Sequence, residues 1–283
     1  MSIKINLLST SIYESGLLPH VISKLVAEYM GELHCIKITN IPSLQKRFEE
    51  LQNFYVLKQN IYLLFNTYIQ KFDSDGNLIQ IYNKANGVKD PSCMAISGAH
   101  IYICEPNYCS LTILNDEGRH LFYMNGSGYS HKCFAYRNKL FIPSRTSNIV
   151  AVLDTIHNKE LFSFYAQHPN IQDMAFIGDR MYIMCLGNYP QSETLIQMYD
   201  LHGKPMGKRY ELIKKYIGVH KHYYMAAFEH KLIVTYESSK ELFIFSPKIE
   251  YIMSVDIGVG IEFIYSNENH LYVLTEDNQI ITF

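Results

Sequence analysis

The sequence lacks an excess of either charge, a long apolar run and a dense set of cysteines, and each gap excludes a class of protein. Lys plus Arg (25) against Asp plus Glu (27) gives a formal net charge of -2, so there is no bulk attraction to nucleic acid or anionic membrane. No segment approaches the roughly 18 consecutive apolar residues of a membrane span, and the first residues do not resemble a secretory signal. We therefore expect neither a membrane nor an export role.

Cysteine is sparse, and the familiar catalytic motifs are missing. Six cysteines in 283 residues do not make a disulfide framework, so we expect reduced, mostly buried thiols in a cytoplasmic protein. Cys93, Cys104, Cys133 and Cys185 lie in apolar runs without metal-ligand spacing, and Cys104 and Cys109 form the one close pair. There is no G-x-S-x-G, G-x-x-x-x-G-K-[ST] or H-E-x-x-H motif. The first expectation is thus no catalytic residue, no metal and no cofactor.

Tryptophan is absent and alanine is scarce, whereas Tyr (23) and Phe (15) are abundant. Aromatic and β-branched residues favour pleated, half-buried strands, so the composition predicts an all-β protein. The abundance of Ile, Tyr, Asn and Lys is typical of an AT-rich genome, such as that of a virus or an intracellular bacterium. A protein of that origin would act in the host cytosol.

An internal repeat predicts the fold. Six apolar runs recur about every 40 residues, with one interval near 50, and this period is typical of propeller blades. A second apolar segment and a short turn precede each run, as in Cys93–Ile96 and Cys133–Tyr136. These pairs are the predicted first and second strands of six blades. The six runs are Ile61–Phe65, Ile101–Cys104, Leu140–Ile142, Met181–Met184, Leu232–Thr235 and Leu271–Leu274.

Third and fourth strands complete each predicted blade. Glycine-containing turns such as Asp75-Gly76-Asn77, Glu117-Gly118 and His202-Gly203 separate them, because glycine adopts the positive φ that a tight hairpin requires. The chain ends after the third strand of blade six. Residues 34–40 alternate polar and apolar residues, so we expect them to supply the missing outer strand and close the ring. The predicted domains are an N-terminal helical segment (1–33) and a six-bladed β-propeller (34–283).

The segment Pro91–Met124 (PSCMAISGAHIYICEPNYCSLTILNDEGRHLFYM) resembles an NHL-type propeller repeat, with its proline near the first strand, an I-Y-I second strand and an acidic-glycine turn. The resemblance implies a six-bladed propeller, a fold that serves hydrolases and interaction platforms alike. Resemblance to calcium-dependent lactonase propellers would imply oxygen ligands in the central channel. The candidates for that alternative are Glu105, Asn107, Asn188, Glu237 and Glu276, with Arg145 and Lys240 interrupting the set.

The fourth repeat carries the two longest departures from the pattern. A basic stretch of about 20 residues follows the turn at His202-Gly203, and an enlarged hairpin covers Leu186–Thr194. Both should emerge on the same face of a propeller, and insertions on one face of a repeat array often mark the binding side. This predicts a protein-binding surface, with a solvated loop or an RNA contact as alternatives. Its residues are Lys208, Arg209, Tyr210, Lys214, Lys215, Tyr216 and Tyr189.

The N-terminal segment predicts one short helix. Ser15 is a suitable N-cap and Gly31 a suitable stop, and an apolar stripe runs between them at helical spacing. The stretch LLPHVISKLVAEYMG resembles the opening of an F-box, which would dock a Skp1-like adaptor. A helix that caps the propeller, or that docks to another partner, is equally compatible with the stripe. The docking residues would be Leu18, Val21, Ile22, Leu25, Val26 and Tyr29.

Overall fold

The computed structural model describes most of the chain, and the described residues are almost all in strands. The described ranges are 37–40, 51–57, 60–108, 110–125, 132–144, 147–168, 170–186, 194–211, 222–267 and 269–283, with the backbone alone for 37, 38, 40 and 208–211. Within them lie 23 strands and two single-turn 3₁₀ helices, Lys84–Asn86 and Pro106–Tyr108, and no α-helix. The all-β propeller prediction is confirmed. No helix in these ranges is long and apolar enough to cross a membrane.

Four antiparallel sheets of four strands follow one another along the chain. The first contains β2 (Leu51–Leu57), β3 (Asn60–Phe65), β4 (Ile69–Phe72) and β5 (Leu78–Tyr82). The second contains β6 (Cys93–Ser97), β7 (His100–Glu105), β8 (Ser110–Asn115) and β9 (His120–Asn125). The third contains β10 (Phe134–Tyr136), β11 (Lys139–Pro143), β12 (Ile149–Asp154) and β13 (Lys159–Tyr165). The fourth contains β14 (Ile171–Ile177), β15 (Arg180–Leu186), β16 (Thr194–Asp200) and β17 (Pro205–Glu211).

The last sheet has seven strands, so the prediction of six separate blades is wrong and the described residues form five sheets. β21 is 16 residues long; its first half pairs with β20 and its second half with β22. The predicted fifth and sixth blades therefore share one strand. Gly258 (φ +80°) bends the strand, while the buried side chains of Ile257 and Ile261 hold it in the core. Besides β1 (Lys37–Asn40), its strands are β18 (Tyr223–Phe228), β19 (Lys231–Tyr236), β20 (Ser239–Phe245), β21 (Tyr251–Ser266), β22 (Leu271–Thr275) and β23 (Gln279–Thr282).

The ring closes through the strand nearest the N-terminus. β1 (Lys37–Asn40) pairs antiparallel with β23, with Lys37 opposite Thr282 and Asn40 opposite Gln279. This pairing is the one that the alternation in residues 34–40 predicts. The predicted N-terminal helix lies outside the described residues and stays a prediction.

The core consists of the second strand of every repeat and the faces on either side of it. Each of these strands is covered on both faces by neighbouring sheets, which explains why its residues form continuous apolar runs and not an alternating pattern. Equivalent positions at the centre of the six runs are fully inaccessible to solvent. They are Leu63, Ile103, Phe141, Ile183, Ile233 and Val273.

Two turn glycines lock neighbouring sheets together. Gly118 has φ +74°, and a Cβ there would lie 1.9 Å from the buried ring of Tyr82 in the first sheet. Gly203 has φ +82°, and a Cβ there would lie 2.1 Å from the Phe164 ring in the third sheet. The predicted glycine turns are confirmed, and they require glycine both for the backbone and for the close approach.

Candidate functional site

The first strands of the six repeats surround a central channel. β2, β6, β10, β14, β18 and the second half of β21 line a cavity of about 780 Å³. Most of its wall is apolar, with residues such as Met94, Phe134 and Phe176. We call the end at which these strands begin the upper end. The chemically distinctive side chains lie there.

An ion pair between one buried and one half-buried side chain lies at the upper end. The carboxylate of Asp173, in β14, is almost fully buried and lies 3.5 Å from the Nζ atom of Lys132. The backbone N–H groups of Met174 and Met225 each donate to it at 2.9 Å. Burial raises the pKa of Asp173, while Lys132 and the two N–H donors oppose that rise. Because Met225 belongs to β18, Asp173 also ties the fourth sheet to the last one.

Tyr224 lies beside this pair, with its ring centroid 5.8 Å from the Lys132 Nζ atom. Burial raises the pKa of the Tyr224 hydroxyl, and the negative charges of Glu237, Glu262 and Asp173 raise it further. The pKa of Glu262 is also raised. Burial is the main cause, and the negative charges of Glu276 and Glu237 contribute as well. The upper end therefore carries an electronegative wall on the side of the last sheet.

The oxygen ligands predicted for a lactonase-like site do not converge in the described residues. Glu105 is fully buried and accepts hydrogen bonds from the backbone N–H groups of Lys89 (2.5 Å) and Asp90 (3.2 Å), and from the Thr112 hydroxyl. It therefore holds the connection into the second sheet and does not line the channel.

The other members of that predicted set are exposed, form no group of three ligating side chains among the described residues, or are not described. The side-chain amide of Asn107 donates to the Asp90 carboxylate. Glu237 and Glu276 are exposed, and so is Lys240. Asn188 and Arg145 lie outside the described residues.

The predicted partner-binding residues lie at the ends of the described ranges or outside them. Lys208, Arg209 and Tyr210 lie in β17, whose backbone pairs with β16 and whose side chains at these positions are not described. This corrects the predicted insertion, because residues 205–211 are the outer strand of the fourth sheet. The remaining predicted residues lie outside the described ranges. They are Lys214, Lys215, Tyr216 and Tyr189 of the insertions, and Leu18, Val21, Ile22, Leu25, Val26 and Tyr29 of the N-terminal segment.

Three cysteines converge behind the channel wall. Cys93 begins β6, Cys104 lies opposite it in β7, and Cys133 immediately precedes β10 in the next sheet. Their sulfur atoms all lie within 4.8 Å of one another, and the Sγ atoms of Cys93 and Cys133 are 3.3 Å apart. All three are buried free thiols. This cluster was not predicted from ligand spacing.

The three thiols differ in acidity. Burial is the largest influence on Cys93 and raises its pKa, but hydrogen bonds from the other two thiols and the charge of Lys132 outweigh it and lower the pKa to about 5. Burial raises the pKa of Cys133, and contacts with Cys104 and Cys93 raise it further. Cys93 is therefore the thiol of the cluster that ionises most readily.

The alignment of the repeats predicts that cysteines come together here, whereas the spacing of the cysteines along the chain does not. Cys93 and Cys133 begin aligned first strands of consecutive repeats, so a propeller places them side by side. Cys104 lies on the other strand of the tight hairpin that begins at Cys93, in the position directly opposite Cys93. The sequence analysis paired Cys104 with Cys109 because the two are close along the chain. Cys109 lies outside the described residues.

No family model and no curated protein matches this chain. Solved structures do. Kuenenia stuttgartiensis hydrazine synthase has a TM-score of 0.60 at 9% identity, covering 83% of this chain and 95% of that one. The Neurospora crassa Pan2 WD40 domain has a TM-score of 0.58 at 10% identity, covering 82% and 74%. BBS1N in complex with ARL6DN has a TM-score of 0.55 at 10% identity, covering 79% and 74%. At these identities the likeness shows a β-propeller fold and leaves the NHL and F-box resemblances unconfirmed.

Proposed function

We propose that this chain is a non-enzymatic propeller that binds a protein partner through the outer strands of its first two sheets. The observation that carries the proposal is the exposure of large apolar side chains on β5 and β9. Isolated exposed apolar residues are ordinary, but contiguous sets typically mark interaction surfaces. The set is Leu78, Ile79, Ile81, Leu121, Phe122 and Tyr123, each at least 36% exposed. We call it the outer apolar surface.

The two strands belong to one continuous wall. The Gln80 side chain of β5 donates to the Glu117 carbonyl oxygen in the β8–β9 turn at 3.0 Å. The Tyr123 hydroxyl of β9 donates to the Gly87 carbonyl oxygen at 3.2 Å. These contacts fix the relative position of the two strands, so a partner would meet a preformed surface and would not have to order it.

Each strand is also the last one in its sheet. An edge strand presents unpaired backbone donors and acceptors, which an extended segment of another protein can satisfy by strand addition. Apolar side chains on such an edge add affinity. Proteins usually place charges at such an edge to prevent association, and the apolar residues here support a binding role.

The finer roles rest on the sequence. Residues 15–31 would recruit a Skp1-like adaptor, and the basic stretch after Glu211 would contact a second region of the target, which together would make the chain a substrate adaptor. A cytoplasmic site of action belongs to the same proposal and rests on the cysteine composition. The structure of BBS1N with ARL6DN provides a precedent for this fold in a protein complex.

The test compares two double variants in quantitative affinity capture from a eukaryotic lysate. Ile79→Glu with Phe122→Glu should reduce recovery of the main partner at least about tenfold, because two charges would be desolvated in the interface. Leu161→Glu with Tyr165→Glu makes the same charge change at exposed apolar positions of β13 and should leave recovery unchanged. Equal effects of the two variants would contradict the proposal. Deletion of residues 1–31 tests the adaptor role separately, through loss of a Skp1-like protein alone.

A small-molecule hydrolase remains the second candidate, because one observation favours it. The channel cavity of about 780 Å³ lies in the size range of ligand sites, and polar groups converge at its upper end. In that case Asp173→Asn would abolish turnover of a lactone panel while the outer double variant would remain active. The proposed protein-binding function predicts no turnover by either protein.

RNA binding is the third reading that the sequence left open. It depends on the basic stretch, whose side chains lie outside the described structure. The carboxylates of Glu237, Glu262 and Glu276 lie on the last sheet, and their charge opposes a nucleic-acid backbone at the upper end.

A further inference from the structure

The thiol cluster joins two sheets at a single point. Cys93 and Cys104 belong to the second sheet and Cys133 leads into the third. All three are at most 3% exposed, yet their sulfur atoms approach one another within 4.8 Å. A cysteine thiol packs well as a small apolar group, but nothing in apolar packing requires three sulfur atoms to meet.

The spacing fits a metal ion. Thiolates bind Zn²⁺ at about 2.3 Å in a tetrahedron, which separates neighbouring sulfur atoms by about 3.8 Å. The Cys93 to Cys133 separation of 3.3 Å and the 4.8 Å limit for the whole cluster bracket that value.

Charge and access fit as well. Three thiolates around Zn²⁺ leave one net negative charge, and Lys132, which directly precedes Cys133 in the chain, brings a positive charge that it shares with Asp173. Cys133 and Lys132 both line the central channel, which supplies a route for the ion. A fourth ligand would come from that side, where a water molecule or a bound group has room.

We propose that Cys93, Cys104 and Cys133 bind one Zn²⁺ ion, with the fourth coordination position open to the central channel. The ion would link the second sheet to the third. This site is independent of the outer apolar surface, so either proposal can fail without the other.

The experiment uses the full chain, reduced with a phosphine and freed of metal by chelation. Titration with Zn²⁺ against a chromophoric chelator should show one equivalent bound. Co²⁺ in place of Zn²⁺ should give thiolate-to-metal charge-transfer absorption of the strength expected for three thiolates. Cys133→Ser should weaken Zn²⁺ binding about 100-fold or more and reduce that absorption.

Cys185→Ser is the matched control. Cys185 is also a buried free thiol, but its sulfur donates to the His168 carbonyl oxygen at 3.6 Å and, within the described ranges, joins no group of three metal-ligating side chains. This variant should bind one Zn²⁺ ion as the parent does. Failure of the parent to bind an equivalent, or equal binding by Cys133→Ser, would overturn the proposal.

A second measurement needs no variant. Differential alkylation with peptide mass spectrometry, performed on the unaltered protein with and without Zn²⁺, should show protection of Cys93, Cys104 and Cys133. Alkylation of Cys185 should stay unchanged. Protection of all four cysteines alike would indicate general stabilisation and would contradict a local site.

Discussion

The second strands and the outer strands of this propeller carry similar apolar side chains in opposite environments. Phe141, in the second strand of the third sheet, is fully buried, whereas Phe122, in the outer strand of the second, is 36% exposed. Ile183 and Ile79 differ in the same way. Because burial on folding explains the first set and cannot explain the second, the outer residues require another reason for being apolar. The proposed partner supplies one.

The largest predicted difference comes from removing a phenylalanine in each environment. Phe141→Ala should cost about 3–5 kcal/mol of unfolding free energy, because it deletes a buried ring and leaves a cavity. Phe122→Ala should change stability by less than about 1 kcal/mol, since most of its effect would fall on binding. Denaturant unfolding followed by circular dichroism measures both. Similar losses would mean that Phe122 is a core residue and would remove it from the outer apolar surface.

The ion pair of Asp173 with Lys132 should come next. Asp173→Ala should destabilise the protein by about 2–3 kcal/mol, because it removes the buried acceptor of two backbone N–H groups and one charge partner of the half-buried Lys132. Asp173→Asn keeps one acceptor oxygen and should cost less. The same unfolding experiment applies. If Asp173→Ala left the free energy of unfolding unchanged, water would have to replace the carboxylate as the acceptor.

The sheet-to-sheet contacts at the turns provide a matched glycine test. Gly118→Ala should cost about 2–3 kcal/mol, because φ is +74° and the new methyl group would overlap the buried Tyr82 ring. Gly260→Ala faces an equally short distance, 2.1 Å, but to the carboxylate of the exposed Glu276, which can rotate away. Its cost should stay below about 1 kcal/mol. Thermal unfolding of the two variants side by side measures how much the positive φ and the rigid Tyr82 ring at Gly118 add together, because neither feature is present at Gly260.

Much of this arrangement could be predicted from the repeat. The six second strands, the glycine turns and the closing strand all follow from period and turn chemistry, which act locally. The continuous β21 was missed because a loop was expected between the predicted fifth and sixth blades. The buried side chains of Ile257 and Ile261 keep that segment in an extended strand. The thiol cluster and the role of Glu105 were missed because both depend on contacts between repeats or with backbone groups, which no local spacing reveals.

The smallest predicted effect concerns the electronegative wall. The pKa of Glu262 is raised in the folded state, so its ionisation opposes folding, and that penalty appears as the pH rises through the raised pKa. Glu262→Gln should therefore stabilise the protein at neutral pH by less than about 1 kcal/mol, since the group is partly solvated and screened. It should give no gain in acid, where the parent carboxyl is already protonated. Unfolding curves at neutral and at acidic pH check this prediction. A gain in stability confined to acidic pH would contradict a raised pKa of Glu262.

The most direct test of the central claim is site-specific photo-crosslinking on the outer apolar surface. A photoreactive amino acid at position 122 or 79 should capture the same partner in a eukaryotic lysate, while one at position 161, equally exposed on β13, should not. The captured protein should disappear when the unaltered chain, without the photoreactive residue, is added in excess. Equal capture at all three positions, or none at 79 and 122 while the chain retains its partner, would contradict binding through the outer strands of the first two sheets.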